Sequence, residues 1–149
     1  MDEPAGPVVR ECVEGYLYAD PPLELLLLRR PPARGRFWVP VSGKVEATDR
    51  DYEAAVRREV MEETGLVKPR RVIPLDWHVR FRADNGEVWR LHAFGVEVDR
   101  SFVPVLSAEH DGWQWARPEM ATRLLHFEDN QLAVERLVTR RFVTPSPKA

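Results

Sequence analysis

The sequence predicts an α/β fold in which a mixed β-sheet lies between helices. Segments rich in aliphatic, β-branched and aromatic residues, typical of strands, come before and after a strongly acidic helical segment, Tyr52 to Thr64. A final amphipathic helix is expected from Glu128 to Arg141. Because a sheet of this kind must bury both faces, a helix on each side predicts a helix-sheet-helix sandwich.

Size and composition favour a single domain. The 149 residues are enough for a substantial core, and 44% hydrophobic and 31% charged residues are typical of soluble globular proteins. We expect one domain over residues 1–149, with its core at 7–142. A flexible tail is expected at 143–149, because the sequence ends in the polar, proline-rich TPSPKA.

Charge, cysteine content and hydropathy restrict the partners. The net charge of −2 provides no basic surface for nucleic acid, so nucleic acid is not a predicted partner. The single cysteine, Cys12, rules out an internal disulfide and fits a reducing compartment. The longest apolar run, Leu25 to Leu28, is too short to span a bilayer. We therefore expect a cytoplasmic protein without membrane contact, as a monomer or a homodimer.

Before the acidic helix, the sequence predicts two strands and a loop. Val8 to Tyr18 is expected to be a strand with a bend or bulge near Gly15, and Leu23 to Leu28 a fully buried strand. The loop from Pro31 to Arg36 would lie over any site that the fold forms. Phe37 to Val41 is a short extended segment that leads to the next turn.

A glycine turn follows, and it favours a ligand site. Gly43 lets the backbone approach a ligand closely, and Lys44 adds a positive charge beside it. The tryptophan just upstream offers a ring for stacking, although tryptophan in such a chain is more often part of the core. The candidates for substrate contact are Arg36, Trp38 and Lys44.

The acidic helix carries the main chemical signal. Glu59, Glu62 and Glu63 are spaced i, i+3 and i+4, which places them within roughly one quadrant of the helix surface. Three neighbouring carboxylates repel one another unless a cation neutralises them, and Mg²⁺ readily takes carboxylate oxygens. A solvated acidic face is the ordinary alternative. The helix should be capped by Asp51, or by Thr48 with Asp51 at its third position, and should end at Gly65.

Beyond the helix, strands are expected at Leu66 to Lys68, Val72 to Arg82 and Val88 to Val98. Asn85-Gly86 between the last two favours a two-residue hairpin turn. With that turn, one face of the hairpin carries His78, Arg80, Arg82, Trp89, Leu91 and Ala93. The other face carries Trp77, Val79, Phe81, Arg90, His92 and Phe94.

The run REVMEETGL, Arg58 to Leu66, resembles the second half of the Nudix hydrolase signature and matches it at every fixed position. The full signature begins with a glycine, five residues, a glutamate and seven further residues. Counted back from Arg58, the glutamate position falls on Arg50 and the glycine position on Lys44. A one-residue insertion around 47–49 would restore Gly43 and leave Asp49 or Asp51 as the nearest acid.

The resemblance implies a Nudix-type α/β/α sandwich over about residues 7–142. It also implies a pyrophosphohydrolase that depends on Mg²⁺, with Mn²⁺ as a substitute, and cleaves a diphosphate linkage in a nucleoside diphosphate joined to another group. Nucleoside triphosphates, dihydroneopterin triphosphate and dinucleoside polyphosphates are the candidate substrates. A small nucleotide-like molecule is therefore the expected partner.

Site residues follow from the same resemblance. Glu59, Glu62 and Glu63 would hold the metal, completed by the backbone carbonyl near Gly43, and Arg58 would orient Glu62 or Glu63. Lys44 would meet phosphate charge.

The segment Leu106 to His110, followed by Trp115, resembles a region of Nudix enzymes that cleave dihydroneopterin triphosphate or diadenosine polyphosphates. By that correspondence Glu109 is a further metal ligand or the general base, with Glu63 as the other candidate base. A solvated loop acid is the ordinary alternative for Glu109. The implied catalytic set is Arg58, Glu62, Glu63 and Glu109.

A second class of function remains open at this point. The chain could be a Nudix-fold module that binds a nucleotide without cleaving it, and Arg50 in place of the signature glutamate favours that alternative. The intact carboxylate cluster argues for an enzyme.

Overall fold

The computed structural model describes residues 3–142, so the tail expected at 143–149 lies outside the described residues. A mixed sheet has helices on both faces, as the sequence predicts. The strands are β1 (Arg10–Ala19), β2 (Glu24–Arg29), β3 (Trp38–Val39), β4 (Val41–Lys44), β5 (Arg71–Arg82), β6 (Val88–Glu97) and β7 (Gly112–Ala116). The helices are α1 (Tyr52–Thr64), α2 (Pro118–Leu124) and α3 (Glu128–Arg140), with a 3₁₀ turn at Pro32–Arg34. No helix in the described range has the length and apolarity needed to cross a bilayer.

Strand β1 is the centre of the sheet. It runs parallel to β6, and β6 pairs with β5 in an antiparallel hairpin. The other edge of β1 is shared, because β4 pairs with its first half and β2 with its last residues, both antiparallel. Strand β2 also pairs with β3 and β7. This sharing brings the end of β4 next to the middle of β1.

Alternate residues of β1 face different helical layers. Val13 and Leu17 pack on the side of α1, against Val56 and Val60. Tyr16 and Tyr18 point to the opposite side, where they join a cluster with apolar residues of α2 and α3. The period of two along a strand thus separates two cores.

The bend expected near Gly15 is wrong. Strand β1 continues through this position, and Gly15 pairs with Phe94 in unbroken register. A Cβ atom at Gly15 would lie 3.0 Å from Val56 and 3.2 Å from Val60. The glycine therefore serves close packing of α1 against the sheet and not a change of strand direction.

Helix α1 has the bounds that the sequence predicts. Of the two proposed caps, Asp51 is the observed one, because its side chain accepts a hydrogen bond of 2.7 Å from the N–H of Ala54. Gly65 ends the helix with a φ of 78°. The strand expected at Leu66 to Lys68 is wrong, since this segment has no strand geometry and Val67 is exposed.

The β5–β6 hairpin has a longer loop than the sequence indicates. The N–H of Gly86 donates to Ala83 at 2.9 Å, and the N–H of Ala83 donates to Glu87 at 2.8 Å. Three residues, 84–86, therefore form the loop, and Gly86 has a φ of 88°. The predicted two-residue turn is wrong by one residue.

Because the loop is one residue longer than predicted, the pairing of β5 with β6 shifts by one residue. The side chains of one strand therefore change faces relative to those of the other. Phe81 lies opposite Trp89, and Val79 lies opposite Leu91, so apolar residues share a face. The polar side chains are collected on the other face, where the opposed residues are Arg80 with Arg90 and His78 with His92. The predicted mixture of charged and apolar residues on each face is wrong, and the apolar face is free to line a cavity.

Candidate functional site

The end of β4 lies directly over α1. Pairing of Gly43 with Val13 of β1 sets its position. A Cβ atom at Gly43 would lie 2.0 Å from the carboxyl carbon of Glu59, so only glycine fits there. Gly43, and not Lys44, therefore occupies the glycine position beside the helix.

Glu59 and Glu63 form a pair of carboxyl groups one helical turn apart, of which Glu63 is buried. Only 1% of Glu63 is exposed, and its carboxyl group hydrogen bonds to Glu59 and accepts from the backbone of Ser42. Burial raises the pKa of Glu63 well above its ordinary value, and the Glu59 contact and the charge of Glu109 add to the effect. The Oε2 atom of Glu63 has no hydrogen-bond partner.

Glu62 and Glu109 are more accessible. The carboxylate of Glu62 accepts hydrogen bonds of 3.2 Å from Arg58, and 49% of its side chain is exposed. The side chain of Glu109 is 54% exposed and lies 3.8 Å from Arg34. Glu109 is also close enough to Glu63 to influence its pKa, so the structure brings both residues to one site.

Arg58 connects the loop before α1 with the carboxylates of the helix. Its guanidinium donates to both carboxylate oxygens of Asp49, at 3.0 and 2.8 Å, and to Glu59 at 2.9 Å. These contacts lower the pKa of Asp49 and raise that of Arg58. The side chain of Arg50 is 84% exposed. Asp49 thus supplies the acid that the signature places at Arg50, and Asp51 is used as the helix cap.

His110 is a residue that the sequence analysis does not single out. It is buried, and its Nδ1 atom lies 3.8 Å from Oε1 of Glu63 without a hydrogen-bond partner. Burial lowers the pKa of His110 to about 4, and the nearby charges of Arg30 and Arg34 add to this. The neutral imidazole forms no ion pair with Glu63 at neutral pH. Its position next to Glu109 in the sequence is the only signal that could have identified it.

The donor atoms fit a hard divalent cation, although they do not form a closed ligand set. Within residues 3–142, no three side chains of His, Cys, Asp or Glu converge as a metal site. Glu62 instead contacts Arg58. Two facts support the fit: Oε2 of Glu63 is buried without a partner, and the backbone of Gly43 lies against Glu59. Carboxylate and carbonyl oxygens are the ligands that Mg²⁺ prefers.

A cavity of about 710 Å³ lies between the sheet and α3, and its rim includes residues 42–44. Its cationic lining residues are Arg30, Arg34, Lys44 and Arg82. Its acidic lining residues are Glu14, Asp84 and Asp129. Its aromatic lining residues are Phe81, Trp89 and Phe127. This volume and mixture suit a ligand that carries both anionic groups and a flat ring.

The three predicted substrate contacts have different positions. Lys44 lines the cavity, with its Nζ atom 5.0 Å from the centre of the Trp89 ring. Trp38 lies in β3 beneath Arg29 and packs against the core, and it does not line the cavity. Arg36 is exposed in the loop and is also outside the cavity wall. Arg30 and Arg34 carry no signal in the sequence that marks them as cavity residues, because nothing in the sequence shows which way their side chains point.

Comparisons with known proteins support one family. A model of the NUDIX domain matches residues 15–137. An octanoyltransferase from Myxococcus xanthus is 34% identical over 119 residues, which are 78% of this chain and 32% of that protein. This chain therefore spans about a third of the length of that relative.

Several solved structures have the same fold. The E. coli dihydroneopterin triphosphate pyrophosphohydrolase aligns with a TM-score of 0.75 and 22% identity, covering 89% of this chain and 98% of that one. A C. elegans Ap4A hydrolase binary complex aligns with a TM-score of 0.73 and 21% identity, covering 87% of this chain and 96% of that one. The NUDIX domain of Shewanella oneidensis NrtR in complex with ADP ribose aligns with a TM-score of 0.70 and 21% identity, covering 89% of this chain and 88% of that one. Because the family model covers most of the sequence, the chain belongs to the NUDIX domain family.

Proposed function

We propose that this protein is a cytoplasmic pyrophosphohydrolase that uses Mg²⁺ or Mn²⁺ to cleave a diphosphate linkage in a nucleotide-like substrate. The observation that carries the proposal is the buried, unpartnered Oε2 atom of Glu63 beside Glu59. Two carboxyl groups in contact, one of them with an unsatisfied oxygen, are costly in the absence of a cation. A bound divalent cation would remove both costs.

Each residue of the site has a distinct proposed role. Glu59, Glu62 and Glu63, with the backbone carbonyl of Gly43, would hold the cation, and Glu109 would be a further ligand or the base. When bound, the cation neutralises phosphate charge and acidifies water. To hold the cation, Glu62 would have to turn away from Arg58, which requires only a rotamer change of a side chain that is 49% exposed.

Positive side chains would position the substrate. Lys44 lies on the cavity rim, and Arg30 and Arg34 line the wall, so phosphate oxygens can be bound from two sides. Arg58 would hold Glu59 in place through the contact at 2.9 Å. Glu109 is the better candidate for the base, because its exposed carboxylate can reach water, whereas the buried Glu63 would hold the cation.

The test is release of phosphate or pyrophosphate from a panel of substrates, with Mg²⁺, with Mn²⁺ and with chelator. The panel contains nucleoside triphosphates, dihydroneopterin triphosphate, dinucleoside polyphosphates and ADP ribose. We expect metal-dependent turnover that is lost in Glu63→Gln and kept in Glu135→Gln, a control on an exposed position of α3. Turnover that survives in Glu63→Gln would contradict the proposal.

The binding module that does not hydrolyse its ligand predicts ligand binding without turnover in the unmodified protein. Its support in the sequence was Arg50, and the contact between Asp49 and Arg58 removes that argument. Acyl transfer is not proposed from the octanoyltransferase match, which covers only a third of that protein. Cys12 is buried, and burial raises its pKa to about 11, so its thiol is not a nucleophile at neutral pH.

A further inference from the structure

A second buried carboxyl group lies in the wall of the cavity, away from α1. Glu14 is on β1, and only 6% of it is exposed. Its carboxylate accepts a hydrogen bond of 2.7 Å from the hydroxyl of Tyr16 and one of 3.1 Å from the amide of Asn130. It forms no ion pair with any residue in the described part of the chain. A buried carboxylate with only two neutral donors is under-stabilised.

At this wall of the cavity, the hydrogen-bond donors of Tyr16 and Asn130 already have partners, and only acceptor positions on Glu14 stay unused. The two amide hydrogens of Asn130 are used, one by Glu14 and one by Tyr16, both at 3.1 Å. The amide oxygen of Asn130 accepts from the N–H of Phe127 at 3.3 Å. The hydroxyl hydrogen of Tyr16 is used by Glu14. Each oxygen of Glu14 keeps an unused lone pair, so the group formed by Glu14, Tyr16 and Asn130 offers acceptors and no free donor, while the donors of the cavity are its cationic side chains, Arg30 among them.

The surroundings of Glu14 suit a flat heteroaromatic ring. Trp89 and Leu91 of β6 and Phe81 of β5 line the sheet side of the cavity, and Phe127 lines the side of α3. The corrected hairpin register is what brings Phe81 and Trp89 to this face. Lys44 lies on the rim near the acidic helix, where phosphates would be bound.

We propose that Glu14 determines which ring the enzyme accepts, and that it selects the 2-amino-4-oxopyrimidine ring shared by guanine and the pterins. This ring presents two adjacent donors, a ring N–H and an exocyclic amino group, which match the two carboxylate oxygens. The inference rests on the proposed function, because it names the substrate class of the same site.

Other rings do not match the ionised carboxylate of Glu14, which only accepts hydrogen bonds. Adenine and cytosine present an amino group beside a ring nitrogen that is itself an acceptor. Uracil and thymine present one N–H between two carbonyl oxygens, which a carboxylate repels. Burial also raises the pKa of Glu14 to about 7, and two ligand donors would stabilise its ionised form.

The first experiment removes one donor from the substrate and leaves the protein unchanged. Inosine triphosphate lacks the 2-amino group of GTP. We expect its KM to be about 10-fold higher than that of GTP with a similar kcat, because the lost hydrogen bond is remote from the phosphates. ATP should be at least as poor a substrate as inosine triphosphate, and dihydroneopterin triphosphate should resemble GTP. Equal KM values for GTP, inosine triphosphate and ATP would overturn the inference.

The second experiment changes the protein. Glu14→Gln replaces one acceptor by a donor, and we expect it to raise the KM of GTP by roughly 10- to 100-fold while the KM of ATP changes much less. The matched control is Glu11→Gln on the same strand, whose side chain contacts Arg90 and His92 on the opposite face. The control should leave the ratio of the two KM values unchanged. An equal rise for GTP and ATP in Glu14→Gln would indicate a purely structural role and overturn the inference.

The inference and the proposed function can fail separately. If no substrate is turned over, calorimetric binding of GTP and ATP to the wild-type protein still tests the ring preference. Preferential GTP binding without turnover would contradict the proposed function and support the inference. Turnover of GTP and ATP with equal KM values would support the proposed function and contradict the inference. If Glu14→Gln does not fold, the comparison of GTP with inosine triphosphate remains decisive.

Discussion

Two buried carboxyl groups, Glu63 on α1 and Glu14 on β1, show how neighbours decide the partner of an acid. Both have pKa values raised by burial. Glu63 is surrounded by further acids, Glu59 and Glu109, so more negative charge accumulates around it. Glu14 instead is hydrogen bonded to a phenol and an amide, and the charges of Asp129 and Arg30 act on its pKa in opposite directions. The first environment favours a cation, whereas the second favours a neutral group that donates hydrogen bonds.

The largest expected effect comes from Glu63. Glu63→Gln removes the charge that would hold the cation, so we expect kcat/KM to fall by roughly 10²- to 10⁴-fold. Steady-state phosphate release measures this loss. Glu14→Gln, assayed with a saturating substrate, should retain most of the wild-type kcat. A comparable loss of kcat in both variants would show that the two carboxyl groups do not have separate functions.

Metal binding should distinguish the same two residues in the absence of substrate. A cation that binds only the folded state stabilises it, by about 2.7 kcal/mol at a concentration 100-fold above Kd. We expect Mg²⁺ or Mn²⁺ to raise the Tm of the wild type and of Glu14→Gln, but not of Glu63→Gln. Differential scanning fluorimetry with and without chelator measures the shift. An unchanged Tm in the wild type at millimolar cation would argue against a site at Glu63.

The pH dependence of the free energy of unfolding should reveal the titration of Glu14. Its pKa in the folded protein, about 7, is above its ordinary value of 4.5, so the folded state keeps a proton that the unfolded state releases. The contribution of Glu14 to the free energy of unfolding must therefore fall as the pH rises from about 4.5 through 7. Because glutamine does not titrate, Glu14→Gln should gain stability relative to the wild type between pH 5 and pH 8, on the order of 2–3 kcal/mol.

Urea unfolding at the two pH values measures this difference, and Glu11→Gln is the control. The pKa of Glu11 is lowered, because its hydrogen bonds and ion pairs with Arg90 and His92 outweigh the cost of burial. Its contribution is therefore present throughout this pH range and is lost only at more acidic pH. A constant difference between Glu14→Gln and the wild type would mean that Glu14 titrates normally.

The smallest expected effect concerns the support of α1. Asp49→Asn weakens the two-point contact with Arg58, and we expect kcat/KM to fall by about 10-fold, because Arg58 also positions Glu59. Arg50→Ala is the matched control, since that side chain is 84% exposed. Kinetics at several Mg²⁺ concentrations should show a weaker apparent metal affinity in Asp49→Asn only. A larger fall of kcat/KM in Arg50→Ala than in Asp49→Asn would mean that the one-residue insertion relative to the Nudix signature lies elsewhere.

Local signals in the sequence were sufficient for α1 and its carboxylates. The cap at Asp51 and the end at Gly65 depend on neighbouring backbone groups, and the i, i+3, i+4 spacing depends only on helical geometry. The same reasoning failed for the strand at Leu66 to Lys68, because a strand requires a partner that lies far away in the chain. It also failed at the hairpin, where a loop longer by one residue exchanged the faces.

The residues of the cavity were beyond a sequence-based prediction for the same reason. Glu14 and Asn130 are 116 residues apart, and their hydrogen bond forms only once α3 packs on the sheet. His110 reaches Glu63 through the loop before β7. Trp38 was a reasonable ring platform by its chemistry, but β3 turned it toward the core.

The sequence by itself therefore determined the family and the acidic helix, because these depend on contiguous residues and short-range geometry, whereas the contact of Gly43 with Glu59 depends on the pairing of β4 with β1. Only the tertiary structure decided that Asp49 and not Asp51 supports Arg58, and that Glu14 lies in the cavity wall. The physical reason is that burial, which raises the pKa of both key carboxyl groups, is a property of the packed layers and not of any single segment.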